Sequence, residues 1–240
     1  MTEATITRPA GPVTTTRPPR RSPTGWLVVA LSALAVGGYS IALYAQGSLA
    51  DLAGADAGLA PHYASAAPPV QVAFYLHVVT GALALLLGPG QFSRRLRQRY
   101  PAAHRLIGRT YLGAVALGVL SALVLAPVNS AGLVGFFGFG GLAVVWGWTA
   151  LRGYRAVRGG DLRQHRAWMI RNYALTYGAV TLRTWLGVLI LVQLPVAEGD
   201  FQAVFDNAYA PLPFLAWLPN LLVAEWLIRR RGLPSYRLTA

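Results

Sequence analysis

The chain has 240 residues, 55% of them hydrophobic and only 12% charged, with a formal net charge of +13. An ordinary water-soluble domain carries about 25% charged residues, so this composition excludes one. There is no cysteine, which excludes disulfides, thiolate metal sites and iron–sulfur clusters.

Residues 1–24 are rich in Thr, Pro and Arg, show no apolar periodicity and read as a disordered cytoplasmic tail. Six apolar stretches follow, at 26–46, 70–92, 106–127, 131–151, 167–194 and 211–228. A run of ~20 residues rising 1.5 Å each crosses ~30 Å of hydrocarbon. The expected fold class is therefore all-α, a polytopic membrane helical bundle of six transmembrane helices over 25–231, with a cytoplasmic C-terminal tail at 232–240. Between the first two stretches lies an Ala/Gly/Pro-rich loop. The fourth stretch is rich in glycine (Gly132, Gly135, Gly138, Gly140, Gly141, Gly147), which lets helix backbones approach closely in lipid. Segment 195–210 is acidic and carries Phe201, Phe205 and Tyr209, the pattern of a short amphipathic segment at the interface. In the sixth stretch Pro219 is expected to kink the helix and leave Asn220 beside the freed backbone groups.

Arginine is sorted along the chain. Arg8, Arg17, Arg20 and Arg21 precede the first stretch, and Arg94, Arg95, Arg97, Arg99 and Arg105 lie between the second and third. Arg152, Arg155, Arg158, Arg163 and Arg166 lie between the fourth and fifth, and Arg229, Arg230, Arg231 and Arg237 follow the sixth. Segments 47–69, 128–130 and 195–210 contain no arginine and carry Asp51, Asp56, Glu198, Asp200 and Asp206 instead. Basic residues mark the cytoplasmic side of a membrane protein, so both termini are expected inside a bacterial inner membrane. The expected partner is the lipid bilayer, with anionic headgroups against the Arg-rich face; the net charge follows from this sorting and implies no nucleic acid.

The second to fifth stretches form two similar hairpins, a four-helix core. The turn SRRLRQRYPAAHRLIGRTY carries His104, Arg105, Arg109 and Tyr111; the turn RGYRAVRGGDLRQHRAWMIRNY carries His165, Arg166, Arg171 and Tyr173. Ionisable residues inside a membrane are costly and point to function. His165, Met169, Asn172, Thr176, Ala179 and Arg183 recur at helical spacing on one face of the fifth stretch. His77, Thr80, Gly81, Ala84, Gly88 and Gln91 make a similar small and polar face on the second. The two faces are expected to meet each other or a shared cavity.

Several readings of these residues stay open. His104 and His165 both open a helix on the Arg-rich side and could hold the iron of a b-type haem axially, with Arg105, Arg109, Arg166 and Arg171 for the propionates. They are equally read as interfacial histidines beside lipid phosphates, or as part of an anion or headgroup site. His77 would line a second site, with His62 in an outer loop as its one histidine partner. Glu225 is expected to pair with Arg109 or Arg171 and tie the sixth helix to the bundle, or else to carry a proton. Arg183 has His77, Tyr39, Tyr75 or an outer-loop carboxylate as candidate partners; it reads as a satisfied structural group or as a site for an anion or a quinone carbonyl. Nothing in the chain fits hydrolytic chemistry: there is no HExxH, nucleophile elbow or phosphate loop.

FYLHVVTGALALLLGPGQF, RYPAAHRLIGRTYL, DLRQHRAWMIRNYALTYGAVTLR and WLPNLLVAEWLIRR together resemble the bacterial predicted membrane proteins grouped as domain of unknown function 2306, over about residues 72–231. That resemblance implies a multi-pass membrane protein and no established activity. The inward histidines are also similar to those of b-type transmembrane cytochromes and ferric reductases, although those proteins place histidine pairs at both membrane depths and this chain does not. Two functions are carried forward: a haem-binding or electron-transfer membrane protein, and a non-enzymatic transporter, sensor or lipid- or anion-binding protein using the same polar core. A cavity running through the bundle beside Thr176 and Arg183 would favour transport.

Overall fold

The computed structural model describes residues 24–196 and 199–235. The expected N-terminal tail, the last residues of the C-terminal one, and Glu198 lie outside the described residues. The described residues are helical, in the order α1 Thr24–Tyr44, α2 Leu49–Gly54, α3 Ala60–Tyr63, α4 Pro68–Gln91, α5 Arg94–Arg99, α6 Pro101–Leu125, α7 Gly132–Arg158, α8 Leu162–Thr176, α9 Gly178–Gln193, α10 Phe201–Tyr209, α11 Leu212–Leu215 and α12 Leu218–Arg230.

Five helical stretches are long and apolar enough to cross a membrane: α1, α4, α6 with the turn that follows it, α7, and α8 with α9. A sixth crossing is available only as a broken one. Phe201–Tyr209 and Leu212–Arg230 qualify together and are bent by 45°. The sixth stretch is thus not the single kinked rod expected at 211–228. α12 alone has 13 residues, ~20 Å at 1.5 Å each, short of the ~30 Å needed.

α4 packs along α6, α6 along α7 and α7 along α8, with α4 closing onto α8, so the two hairpins make the expected four-helix core. Its centre holds Ala84, Tyr111, Ala114, Val115, Trp146, Tyr173 and Leu175, all buried. Large apolar side chains instead face outward, as lipid contact requires; Leu34, Leu120, Phe137 and Leu191 are all exposed. Small residues set the close approaches. A Cβ on Gly88 would run into the Tyr173 ring, and one on Gly138 into the Pro213 backbone. Those contacts bring α8 onto α4 and α11 onto α7.

Both Arg-rich turns lie at one end of the bundle, because α4–α6 and α7–α8 are parallel-stacked hairpins opening the same way. Arg163 Nη2 donates to the Gly232 carbonyl at 2.5 Å, which brings the end of α12 to this end too. At the far end the supposed loop 47–69 is folded. Ser48 caps α2: its hydroxyl accepts from the Asp51 amide at 3.2 Å, while Asp51 Oδ2 accepts from the Ser48 amide at 2.9 Å. α2 and α3 bury Leu49, Leu52, Ala60 and Tyr63 against Phe74 and Leu125. Burial pushes the Tyr63 phenol up to about 12.

The Ser48 hydroxyl and amide hold the Asp51 carboxyl below its usual range. A depressed carboxyl supports the fold above its ordinary pKa, ~3.9, and loses that support only as pH falls through the lowered value. Amide exchange at Leu52, which donates to the Ser48 carbonyl at 3.0 Å, is therefore expected to stay protected from neutral pH down to about pH 4. In Ser48→Ala protection should fail at a higher pH; identical profiles would count against the cap.

Candidate functional site

A buried polar layer crosses the middle of the bundle. This layer is a closed network. The Tyr111 hydroxyl donates to Asn172 Oδ1 at 2.6 Å and shares a 2.9 Å hydrogen bond with Thr176 Oγ1. Asn172 Nδ2 donates to the Trp146 carbonyl at 2.8 Å and to Thr149 Oγ1 at 2.9 Å. Trp146 Nε1 donates to Thr176 Oγ1 at 2.9 Å. All five side chains are buried, and the network joins α6, α7 and α8. Such a satisfied network rigidifies the core, whereas a half-satisfied one would be costly in hydrocarbon. Asn172 and Thr176 were legible from the stripe. Trp146 and Thr149 sit in an apolar run and gave no sign.

Above this floor, away from the Arg-rich end, is a cavity of about 520 Å³. It exists because the fifth span changes partners halfway. α8 packs on α7, α12 and α4; beyond a break at Tyr177, α9 packs on α10, α11 and α1. The break is held from three sides. The Tyr177 hydroxyl shares a 2.7 Å hydrogen bond with Ser32 of α1. Asn220 Nδ2 donates to the Ala174 carbonyl at 3.1 Å and to the Ala216 carbonyl at 3.1 Å. Thr181 Oγ1 also donates to the Ala216 carbonyl, at 2.5 Å. Asn220 thus satisfies carbonyls freed by breaks in two different helices, a wider task than the Pro219 kink alone suggested.

The cavity walls are mostly apolar, with a few polar groups: His77, Thr176, Arg183, Ser40, Asn129 and the hydroxyls of Tyr39, Tyr44 and Tyr209. The expected shared space between the second and fifth stretches is therefore present, lined by both His77 and Arg183. His77 Nδ1 donates to the Gly118 carbonyl at 3.2 Å, since a carbonyl oxygen only accepts, and lies 3.4 Å from Ser121 Oγ. Arg183 donates from Nη1 to the Ala179 carbonyl at 2.9 Å and from Nη2 to Ser40 Oγ at 3.2 Å. The candidate partner Tyr39 is near it, with Tyr44 and Tyr209. The α2–α3 segment roofs the space through Leu59, whose amide donates to the Tyr44 hydroxyl at 2.9 Å.

The remaining candidates sit at the Arg-rich end or within the helices. His165 Nδ1 donates to the Gly153 carbonyl of α7 at 2.8 Å. His104, at the start of α6, lies within electrostatic reach of Arg97, His165 and Arg105. Among the described residues its buried Nδ1 has no hydrogen-bond partner, and neither has Gln91 Nε2. Arg105, Arg109 and Arg166 are exposed. Arg171 is buried and makes a two-pronged ion pair with Glu225: Nε to Oε1, and Nη2 to Oε2 at 2.9 Å. Of the two partners expected for Glu225, Arg171 is the one used. Its guanidinium also lies 4.7 Å from the Trp168 ring centroid. Thr80 donates back to the Leu76 carbonyl of its own helix at 2.6 Å.

These positions bear on a haem. The cavity holds one histidine among the described residues, His77. His62 does not join it; its Nε2 donates to the Val128 carbonyl at 2.7 Å. His104 and His165 lie outside the cavity lining, and the fork of Arg171 is already taken up by Glu225. The donor set among the described residues does not fit bis-histidine ligation of a haem in this space.

A family model described as Predicted membrane protein (DUF2306) matches residues 74–228. The chain belongs to this family. The DUF2306 region covers both hairpins, the floor network, the Arg171–Glu225 pair, His77 and Arg183. It begins after α1 and the α2–α3 roof, so Tyr39, Ser40, Tyr44 and Leu59 reach the cavity from outside the matched region. No curated protein and no solved structure matches the chain.

Proposed function

We propose that this DUF2306 protein is a ligand-binding protein of a bacterial inner membrane, both termini cytoplasmic, that takes a membrane-dissolved small molecule into the cavity between α1, α4, α7 and α9. The cavity itself carries the reading. Its 520 Å³ falls in the ~300–1,000 Å³ range of small-molecule sites, and apolar walls with a few convergent polar groups are the usual composition of such sites. Interiors are otherwise close-packed. The cavity ends on the floor of Trp146 and Thr176 instead of running through the bundle, which favours binding or sensing over a channel. At the other end of the bundle the Arg-rich turns face the cytoplasmic leaflet, where each Arg gains ~1 kcal/mol from anionic headgroups.

Gly81 offers a clean test. It lines the cavity, and a Cβ built on it meets nothing within 4 Å. Gly81→Phe should therefore enter the space with no clash at its Cβ, and helix propensity favours the change by a few tenths of a kcal/mol. Mass spectrometry of organic extracts is expected to find a molecule enriched with the wild-type protein and lost with the variant. Identical extracts from two folded proteins would refute the assignment.

A further inference from the structure

We propose that the cavity selects an amphiphile with an anionic head, carboxylate or phosphate, and that Arg183 is the group that holds the head. This rests on the cavity being a ligand site, and it names the class of ligand.

Arg183 stands ten residues before the end of α9 at Gln193, within a stretch apolar enough to cross the membrane. It lines the cavity. Among the described residues no carboxylate lies within 4 Å of its guanidinium, in contrast to Arg171 with Glu225. Its two hydrogen bonds go to neutral acceptors, the Ala179 carbonyl and the Ser40 hydroxyl. A guanidinium has five N–H donors, so donors remain and the charge is not cancelled. Intramembrane cations pair with an anion or a backbone carbonyl, or mark the path of a charged ligand, and one carbonyl and one hydroxyl leave most of the Arg183 fork unused. Planar, bidentate recognition of carboxylate or phosphate is what a guanidinium does best.

The other end of the cavity suits a tail and not a head. Trp146 and Thr176 reach it, but their polar atoms are bonded to each other, and Leu85 and Leu175 complete an apolar surface. A head at Arg183 and a chain running toward Trp146 satisfies both ends with one molecule. A neutral amphiphile would bury the same chain and leave the guanidinium without an anion, so the preference for a charged head should be large.

The test uses the full chain, purified in detergent and titrated calorimetrically with oleate, oleyl phosphate and oleyl alcohol, which share one tail. At least one anion should bind about tenfold or more tightly than the alcohol, a difference of ~1.4 kcal/mol or more; which anion is preferred identifies the source of the head. Arg183→Gln should abolish the preference, so that the three probes bind the variant alike. Arg183→Lys, which keeps the charge but not the planar fork, should restore only part of it. Gly81→Phe should remove binding of all three. Equal affinities of the wild-type protein for the three probes would overturn the head assignment and leave the cavity a ligand site. Failure of all three to bind would overturn both. Should Arg183→Gln not fold, the wild-type ratio of anion to alcohol still decides.

Discussion

Glu225→Leu is expected to be the most damaging single substitution away from the cavity, lowering stability by about 3–5 kcal/mol. The side chain of Arg171 is 3% exposed and that of Glu225 28%. The change therefore takes the carboxylate away from the more deeply buried charge. It leaves the cation–π contact with Trp168, which contributes about 2 kcal/mol, and removes the charge that balances the guanidinium. The reverse change, Arg171→Met, leaves a carboxylate with partial access to solvent and should cost less. Replacing both together by Met and Leu should cost least, because a buried ion pair exchanged for apolar groups of similar volume is often close to neutral. Reversible unfolding of the four proteins in detergent measures this order. Equal losses for the two single variants would mean that burial does not control the cost. The contact also holds α12 to α8, where only Ala167, Ile170, Ala224 and Ile228 provide a buried apolar seam, so loss of the pair should appear first as protease access to α12.

Asn220→Leu is the second large effect, expected at about 1–3 kcal/mol, the penalty for one buried carbonyl left without a donor. Two carbonyls lose Asn220, but Ala216 keeps the Thr181 hydroxyl, and Ala174 carries the loss. Asn220→Asp should be at least as damaging, because an ionised carboxylate cannot donate and would face two carbonyl oxygens. The same substitutions release α9 from α12 at the break that opens the cavity, so ligand retention should fall along with stability. A stable Asn220→Asp protein would show that the break is held by packing and not by this amide.

How much of this was legible follows from what each residue's neighbours in sequence reveal. Arginine sorting and apolar runs are local properties, and they placed both Arg-rich turns at one end and marked out the hairpins. The stripe from His165 to Arg183 is also local, and it anticipated that Asn172 and Thr176 would face the bundle and that Arg183 would share a space with His77. Depth along a helix allowed both Arg109 and Arg171 for Glu225; the choice depends on the rotation of α6 and α8 about their axes, which no single helix encodes. The break at Tyr177 is fixed by Asn220, 43 positions later in the chain, and Gly178 was its one local sign. The α2–α3 roof looked like a loop because its composition is that of one. The Ser48–Asp51 capping pair was the overlooked signal. His104 and His165 were read as candidate haem ligands because both open a helix on the Arg-rich side; they do lie within electrostatic reach of each other, while the cavity formed elsewhere, around His77 and Arg183.

The length of α7 has a further consequence. Its 27 residues extend ~40 Å, about 10 Å more than a typical hydrocarbon layer. The excess turns carry Arg152, Arg155 and Arg158 and stand among the headgroups. A thin bilayer must absorb the mismatch by tilting or bending such a helix, and α7 carries Trp146 and Thr149, two of the five side chains of the buried floor. The shape of the binding space is thereby tied to the thickness of the surrounding lipid, and short-chain lipids will alter it through the tilt of α7.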